Sequence, residues 1–456
     1  MTAGFLIGGG LLLLGLLLQL AVGPVNWSLL AAPVNYIVLA VLPVLLGLLY
    51  RLRRRLPAIE WMLHAPAAVP CLCLAVGLTI LMGLTVQTPR GGILWLSQML
   101  RFWPFVLIWS WMTLLAGLAA LNRLLRWKWR ELPFILNHLG VFLAISCATL
   151  GHADLQKMQM TVYPDSPEWR ARDEAGQLCE MDLAIELHRF TMERYPSGMP
   201  RRFASDISVY TKEGQDVSDT VEVNKPLRVK RWWIYQYSYD VSRGQESRYS
   251  VFLLVRDPWL PAVYLGIFLM LAGALALIVT KQAPRRKWVL PAALVLTAFF
   301  TYLTVTRMGP GARDLPPALQ SPWFIPHLIV YMAGYALLAT ATLLALYQLI
   351  RKNGSLMGVT DSLAYLGTAF LTFGMLFGAL WAKEAWGHYW GWDPKETWAA
   401  ITWLACLLYI HFRKARPAEW RTACGMLLFA FVCLQFCWWG INYLPSARGH
   451  SIHTYN

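Results

Sequence analysis

Long apolar runs recur along the chain, and most of the polar segments between them are short. A predominantly apolar run of about 17 to 25 residues crosses the roughly 30 Å hydrocarbon core of a bilayer as an α-helix. About eleven runs meet this requirement. We predict transmembrane helices at residues 4–22, 33–50, 67–86, 102–122, 133–150, 259–280, 288–306, 326–350, 361–382, 396–412 and 422–443. The pattern predicts a mainly α fold, a polytopic membrane helix bundle.

The polar segment at residues 151–258, between the fifth and sixth predicted helices, has a different pattern. Polar residues alternate there with aromatic or β-branched residues, and turns that contain Gly or Asn separate the stretches. We predict strands at 203–211, 218–229, 231–241 and 247–257. The segment is therefore expected to form one β-rich domain between two membrane helices.

The composition agrees with a membrane protein. Of 456 residues, 57% are hydrophobic and 14% are charged, whereas about 25% are charged in typical soluble domains. The net charge of +15 would favour a nucleic-acid partner in a soluble protein, but here the cations concentrate in alternate short loops. These loops are 51–55, 122–130, 281–287, 351–352 and 413–421.

The positions of these basic loops predict the orientation in the membrane. Cytoplasmic loops are enriched in Lys and Arg, so the five loops are expected on the cytoplasmic side. The β-rich domain, the loop at 383–395 and the C-terminus are then extracytoplasmic. In a bacterial inner membrane this side is the periplasm. We expect membrane lipid around the helices and no nucleic-acid partner.

Two other interpretations of the apolar segments are disfavoured. The first run has no Lys or Arg before it and no clear small-residue cleavage site, so we expect a retained helix and not a signal peptide. The eight Cys residues include no CxxC pair, and only Cys179 lies in the long polar segment. A thioredoxin-like dithiol or a disulfide framework is therefore not expected.

Histidines near the ends of predicted helices are the first candidate ligands. The topology places His138 and His411 towards the cytoplasmic side, and His327 and the C-terminal His453 at the outer face. Two neutral imidazoles bind a metal from opposite sides, and bis-His ligation suits haem iron. The alternative is that each imidazole forms a structural hydrogen bond to a neighbouring helix.

Residues 386–398, "WGHYWGWDPKETW", are the second candidate. Their Trp rings would supply a flat apolar surface of the size that a porphyrin face needs. An interfacial aromatic belt is the alternative, because Trp is enriched at both membrane boundaries. Asp393 precedes Pro394, and Glu396 follows closely, as is typical of a helix start. We predict that both carboxylates cap the next helix, whether or not the surface binds a ligand.

This stretch resembles the WWD signature of the haem-handling proteins of cytochrome c maturation. The longer stretch "WDPKETWAAITWLACLLYIH" is similar to the CcsA/ResC branch, and "SDISVYT", "VEVNKPLRVKRWWIYQYSYD" and "YSVFLLVRDPWLPAVYLGI" are similar to the ResB/Ccs1 partner. Together they resemble a fused CcsBA-type cytochrome c synthase over roughly 130–456. We expect N-terminal transmembrane helices in 1–130, a ResB-like region in 131–280 and a CcsA-like domain in 281–456.

The resemblance implies a holocytochrome c synthase, a thioether-forming lyase. Such a protein exports haem b across the membrane and attaches it to the CxxCH motif of apocytochrome c. By this resemblance His138 and His411 hold haem in the membrane, whereas His327 and His453 are the external axial ligands and the catalytic pair. The residues expected to bind haem at the WWD surface are Trp386, Gly387, Trp390, Trp392, Asp393, Glu396 and Trp398.

Three departures from the family pattern, and two other functions, stay open. Five helices precede the β-rich domain where three are usual, that domain is short, and a closing helix is expected beyond "SIHTYN". His453 is preferred to His450 because "SIHTY" is similar to the family's "LHSY", and His388 is not expected to be a ligand. The alternatives are a haem transporter or chaperone that serves a separate lyase, and a membrane scaffold that binds no haem.

Overall fold

Eleven α-helices and one β-sheet make up the described part of the computed structural model, which covers residues 1–88, 94–214, 216–279, 291, 295, 298, 302 and 314–447. The helices are α1 (Thr2–Val22), α2 (Val34–Leu52), α3 (Pro57–Met62), α4 (Ala65–Leu84), α5 (Trp103–Leu124), α6 (Leu132–Gly151), α7 (Leu260–Val279), α8 (Phe324–Arg351), α9 (Met357–Trp386), α10 (Pro394–Ala415) and α11 (Trp420–Trp438).

The predicted helices that fall in the described ranges are confirmed, with ends that differ by a few residues. The predicted span at 288–306 falls almost entirely outside those ranges. Within them, nine helices are long and apolar enough to cross a membrane, so the chain is a multi-pass membrane protein. The short helix α3 was not predicted, because its apolar pattern covers fewer than two turns.

Helix α10 lies inside the bundle. Its residues Ile401, Leu404 and Tyr409 are fully buried, and it packs in one core with α4, α8 and α11. The polar residues at its two ends lower its mean hydropathy, and it is not among the nine helices above. A helix enclosed by other helices needs less apolar surface than one that faces lipid.

The β-rich domain is one antiparallel sheet that nearly closes on itself. Its strands are β1 (Gln156–Val162), β2 (Glu168–Arg172), β3 (Leu178–Arg194), β4 (Pro200–Thr211), β5 (Val217–Glu222), β6 (Leu227–Val229), β7 (Trp232–Tyr239) and β8 (Ser250–Arg256). Their spatial order is β5-β4-β3-β2-β1-β8-β7-β6. An isolated bridge between Glu222 and Lys225 joins the two edges, and closure protects edge strands from pairing with another chain.

The four predicted stretches cover five of these strands, because 218–229 contains both β5 and β6, whereas the first three strands were missed. In β3, Met181, Leu183, Ile185 and Leu187 are buried and alternate with polar neighbours. This period of two was visible in the sequence, but charged residues on the outer face made the segment resemble a loop.

Helices α6 and α7 are joined by close backbone packing. A methyl carbon added at Gly266 would lie 2.6 Å from the backbone nitrogen of Ala144, and one at Gly140 would lie 2.8 Å from the carbonyl oxygen of Gly266. One added at Gly273 would lie 2.6 Å from the side-chain nitrogen of Asn137 and 2.9 Å from its backbone nitrogen. Small residues permit such an approach between membrane helices. The two helices that flank the β-rich domain therefore form a tight pair.

Asp154 connects three distant parts of the chain just before β1. Its carboxylate accepts hydrogen bonds from the Ala32 backbone N–H at 2.9 Å and from the Asn35 side-chain amide at 2.8 Å. It also accepts one from the Trp259 indole N–H at 2.8 Å. This carboxylate holds the connection between α1 and α2 against the bases of the first strand and of α7.

Candidate functional site

The turn between α9 and α10, residues 387–393, has a fixed backbone. Gly387 ends α9 with a φ of 79°, in the left-handed region that favours glycine. The Lys383 ammonium donates a hydrogen bond to the Gly387 carbonyl oxygen at 2.9 Å. At the other end, Trp392 has a φ of 56°, which is uncommon for a bulky residue. The tryptophans of the motif are thus presented by a rigid turn.

Asp393 and Glu396 form a capping box at the start of α10, which confirms their predicted capping role. The Asp393 carboxylate accepts hydrogen bonds from the backbone N–H groups of Lys395 at 2.8 Å and Glu396 at 3.1 Å. In return, the Glu396 carboxylate accepts from the N–H of Gly391 at 2.7 Å and of Asp393 at 3.3 Å. Both acids therefore shape the turn that carries the rings.

Replacing Asp393 by Ala is expected to loosen this turn. The substitution removes the N-cap acceptor and should cost about 1 kcal/mol, or up to 2, of local stability. The predicted result is roughly five- to thirty-fold faster amide hydrogen exchange at Lys395 and Glu396 in the detergent-solubilised protein. Asp393→Asn is the matched control, since its side-chain oxygen still accepts. Equal exchange in the two variants would contradict the capping role.

The tryptophan rings of the motif divide into two groups. Trp386 lies 5.1 Å, centre to centre, from Trp381 of the same helix. Trp392 contacts Trp390 at 5.8 Å and Trp109 of α5 at 5.5 Å, both edge-on. The Trp386 group lies on the α8 side of the turn, and the group of Trp390 and Trp392 is supported by α5.

Trp398 belongs to the core of the bundle. It is 3% exposed, and its ring stacks on Phe436 at 4.8 Å. A methyl carbon at Gly83 would lie 3.1 Å from its indole nitrogen. In contrast, Trp386, Trp390 and Trp392 are half-buried. These three rings have surface left for a ligand, whereas Trp398 packs the helices beneath them.

His327, in the first turn of α8, lies next to the Trp386 group. Its ring is 5.7 Å from Trp381, and its Nδ1 lies 2.8 Å from the Gly374 carbonyl oxygen. That oxygen can only accept, so Nδ1 carries the proton and Nε2 carries the lone pair. A methyl carbon at Gly378 would lie 2.9 Å from the ring. Glycine at position 378 thus lets α9 approach the imidazole closely and fix its orientation.

The β-rich domain covers the same end of the bundle at two places. Gly387 lies against Tyr235 of β7 and Val255 of β8. Ser197 donates to the Asp314 carboxylate at 2.6 Å, and the Asn224 amide donates to the Pro317 carbonyl oxygen at 2.7 Å. The domain is therefore attached both to the tryptophan turn and to the segment before α8.

Charged groups are buried where this domain meets the turn. The Lys383 ammonium lies 5.7 Å from the centre of the Tyr235 ring. Burial raises the pKa of the nearby Asp257 carboxyl above its usual range, and the charge of Lys383 opposes this shift in part. Glu384, near the end of α9, binds the residues just before α8. Its carboxylate accepts hydrogen bonds from the Trp323 indole at 2.8 Å and the Ser321 hydroxyl at 3.0 Å. These contacts fix the end of α9.

His138 and His411 face each other at the opposite end of the bundle. Their ring centres are 6.2 Å apart, with an angle of 67° between the ring planes. Each Nδ1 lies within hydrogen-bond distance of the carbonyl oxygen one turn earlier, 2.9 Å for His138 and 2.8 Å for His411. Because those oxygens only accept, the lone pair of each ring is on Nε2.

The spacing of this pair fits one metal ion between the rings. Two bonds of about 2 Å on opposite sides of an ion, with roughly 1 Å from each nitrogen to its ring centre, place the centres about 6 Å apart. The observed 6.2 Å matches this spacing. The rings are half-buried, and Phe134 stacks on His138 at 3.8 Å. The pair therefore suits a metal complex with a large apolar ligand.

A partly buried ion pair sets the position of the His411 end of α10. Arg413 donates to both carboxylate oxygens of Asp361 in α9, at 2.8 and 2.9 Å. The Tyr409 hydroxyl donates to the same carboxylate at 2.6 Å. Eighteen residues separate positions 393 and 411, so α10 spans about 27 Å between the capping box and His411 at 1.5 Å per residue.

The structure brings some of the predicted ligands together. His138 lies beside His411, and His327 lies one ring away from Trp386. His453 and His450 lie outside the described residues, so the partner of His327 remains a prediction. Sequence reasoning missed Lys383, Glu384 and Asp361, although an ionisable residue inside an apolar helix is a signal of a functional or structural role.

Comparison with known proteins assigns two parts of the chain. Residues 259–447 match the family described as Cytochrome C assembly protein, and residues 126–247 match the ResB-like family. The fold, the tryptophan turn and these matches define a membrane protein of the cytochrome c assembly class. The chain belongs to its fused CcsBA type, in which a ResB-like region and a CcsA-like region form one polypeptide.

Individual relatives are similar to about two fifths of the chain. Over 202 residues the chain is 35% identical to the cytochrome c biogenesis protein CcsA of Chlamydomonas reinhardtii, which covers 41% of this chain and 55% of that protein. The CcsA protein of Mesostigma viride is 33% identical, with 36% and 65% covered. That of Solanum tuberosum is 32% identical, with 36% and 64% covered. The chain thus spans between half and two thirds of the length of these relatives.

Proposed function

We propose that this protein is a cytochrome c synthase that moves haem b through the membrane and joins it to apocytochrome c. The observation that carries the proposal is the pair of imidazole sites at the two ends of one helix bundle. His138 and His411 have the spacing of two axial ligands, and His327 lies 5.7 Å from the ring of Trp381, which contacts Trp386 of the motif. The end with the β-rich domain is the periplasmic side of a bacterial inner membrane in this proposal.

The residues at the His138 end receive haem. Both imidazoles keep their lone pairs on Nε2 because Nδ1 donates to the preceding turn. They hold the iron of the cargo without needing to lose a proton first. The ion pair between Asp361 and Arg413 fixes the helix end that carries His411.

The residues at the other end position haem for attachment. Half-buried Trp386, Trp390 and Trp392 provide the apolar surface, and His327 ligates the iron, with His453 as the proposed second ligand. The capping box keeps the turn rigid. Holding the porphyrin here turns a reaction between two molecules into a nearly intramolecular one, which lowers the barrier by several kcal/mol.

The attachment step is an addition reaction. The sulfur of each CxxCH cysteine forms a bond to one carbon of a haem vinyl group, and the thiol proton is transferred to the other carbon. The vinyl double bond is consumed, so the step is balanced without an oxidant or a reductant. The chain supplies position and iron ligation, and the apocytochrome supplies both thiols and the histidine that replaces a ligand on the iron.

Co-expression with an apocytochrome c in a host without other maturation factors tests this function. We expect haem that stays bound to the cytochrome after denaturing electrophoresis. His327→Gly should lower this yield by about ten-fold or more, and added imidazole should restore much of it. His188→Gly is the matched control, because the His188 imidazole lies in the β-rich domain and is hydrogen-bonded to the Ser208 hydroxyl at 2.7 Å.

Two other outcomes would replace the proposal. If haem co-purifies with the chain but no covalent cytochrome forms, the protein is a haem carrier for a separate lyase. If the chain purifies without haem from haem-replete cells, it is a scaffold, and the tryptophans are an interfacial belt.

A further inference from the structure

Two cations lie against the aromatic ring that covers the His138 site. The guanidinium carbon of Arg123 and the ammonium of Lys414 are each 5.4 Å from the centre of the Phe134 ring. Phe134 in turn stacks on His138 at 3.8 Å, and Lys414 is three residues after His411. Both positive charges are therefore one ring away from the imidazole pair.

These cations leave the local charge positive. Glu131 faces Arg123 at 3.3 Å and Arg130 at 3.8 Å. Lys414 also lies within electrostatic range of Glu131 and of Arg123, so these cations share one carboxylate. Lys and Arg at the end of a membrane helix can reach the interface without a partner, so the surplus does not require a ligand. It does make this end of the imidazole site attractive to an anionic group.

We propose that Arg123 and Lys414 bind the two propionates of the haem held by His138 and His411. This inference rests on the proposed function. Both cations lie 5.4 Å from the centre of one ring, so they are at most twice that distance apart. Two carboxylates on one edge of a porphyrin can then each pair with one cation. Carboxylates bonded to Arg or Lys form charge-assisted hydrogen bonds, which are stronger than neutral ones.

This arrangement would give the bound haem one orientation. The charged propionate edge stays at the basic end of the bundle, where Arg123 is partly exposed. The apolar edge with the vinyl groups then faces the helices and the far end of α10. The cations act as specificity residues, because they distinguish an anionic porphyrin from a neutral one while the imidazoles bind the iron of either.

Binding of haem and of haem dimethyl ester to the purified full-length protein tests the proposal. The ester keeps the iron and the ring but lacks both negative charges. We expect the unchanged protein to bind haem about ten-fold more tightly than the ester. Arg123→Gln with Lys414→Gln should bind both with equal affinity and keep the bis-imidazole absorption bands. Lys414→Arg keeps the charge and should keep most of the preference.

Arg416→Gln is the matched control. Arg416 follows the same end of α10 but is 53% exposed and pairs with Glu419 at 3.3 Å, so its loss should leave the preference unchanged. A double Gln variant that still prefers haem, or unchanged protein without a preference, would overturn the inference. Failure of the proposed function appears differently: His411→Gly would then bind haem and ester as well as the unchanged protein does.

Discussion

Replacing His411 by Gly is expected to remove the bis-imidazole haem spectrum of the membrane site. In the proposed function His411 and His138, whose ring centres are 6.2 Å apart, bind one iron together, and loss of either would remove one of these two ligands. Haem occupancy should fall by about ten-fold or more, and imidazole added during growth should restore it by filling the space of the missing ring. Absorption spectra of the oxidised and reduced purified protein measure both effects.

The pair predicts a further result that an unrelated loss of stability would not give. His138→Gly should have the same effect as His411→Gly, and the double variant should be no worse than either, since the two residues act on one ion. His64→Gly is the control, because that imidazole is exposed and lies beside Glu60 at 3.5 Å. A single His variant that keeps the full spectrum would refute the assignment of the site.

Replacing Gly266 by Leu is expected to prevent the protein from accumulating in the membrane. A first side-chain carbon would already lie 2.6 Å from the backbone of Ala144, and backbone atoms of a packed helix cannot rotate away. Overpacking of a well-packed core costs about 1 to 3 kcal/mol, occasionally more, so α6 and α7 should separate. The yield of monodisperse protein in detergent and its midpoint of thermal unfolding are the measurements.

Gly47→Leu is the matched control for this substitution. Gly47 is also in a membrane helix, α2, but a methyl carbon added there meets no atom within 4 Å. Its variant should accumulate normally, because Leu favours helix formation over Gly. Gly266→Ala is expected to be intermediate. Normal yield and unfolding temperature for Gly266→Leu would contradict the close packing of the two helices.

The length of the apolar runs was sufficient to predict the helices, because a helix that crosses the lipid needs a long apolar run. Apolar run length was less informative for α10, because this helix has polar ends and is enclosed by other helices, unlike the helices that face lipid. Strand β3 was missed for a related reason. Its buried residues alternate as expected, but Glu180, Asp182 and Glu186 on the other face dominate the composition.

The candidate site could be predicted in part. A helix cap depends on neighbouring residues, so the pairing of Asp393 with Glu396 was readable from "DPKE". The proximity of His138 and His411 depends on how α6 and α10 are placed in the bundle. That placement cannot be predicted from any local sequence pattern. The positions of Arg123 and Lys414 around Phe134 likewise follow from three helix ends meeting in space.

The Asp154 carboxylate has a consequence for proteins in which the two halves are separate genes. Asp154 lies in the part that matches the ResB-like family, and Trp259 is the first residue of the part that matches the cytochrome c assembly family. With the boundary that these matches give, and not the predicted one at residue 280, this hydrogen bond and the glycine contacts between α6 and α7 would join different polypeptides in a two-subunit version. Fusion gives the two sides of this interface a high effective concentration. A single polypeptide therefore forms within itself the contacts that two separate subunits would form by diffusional association.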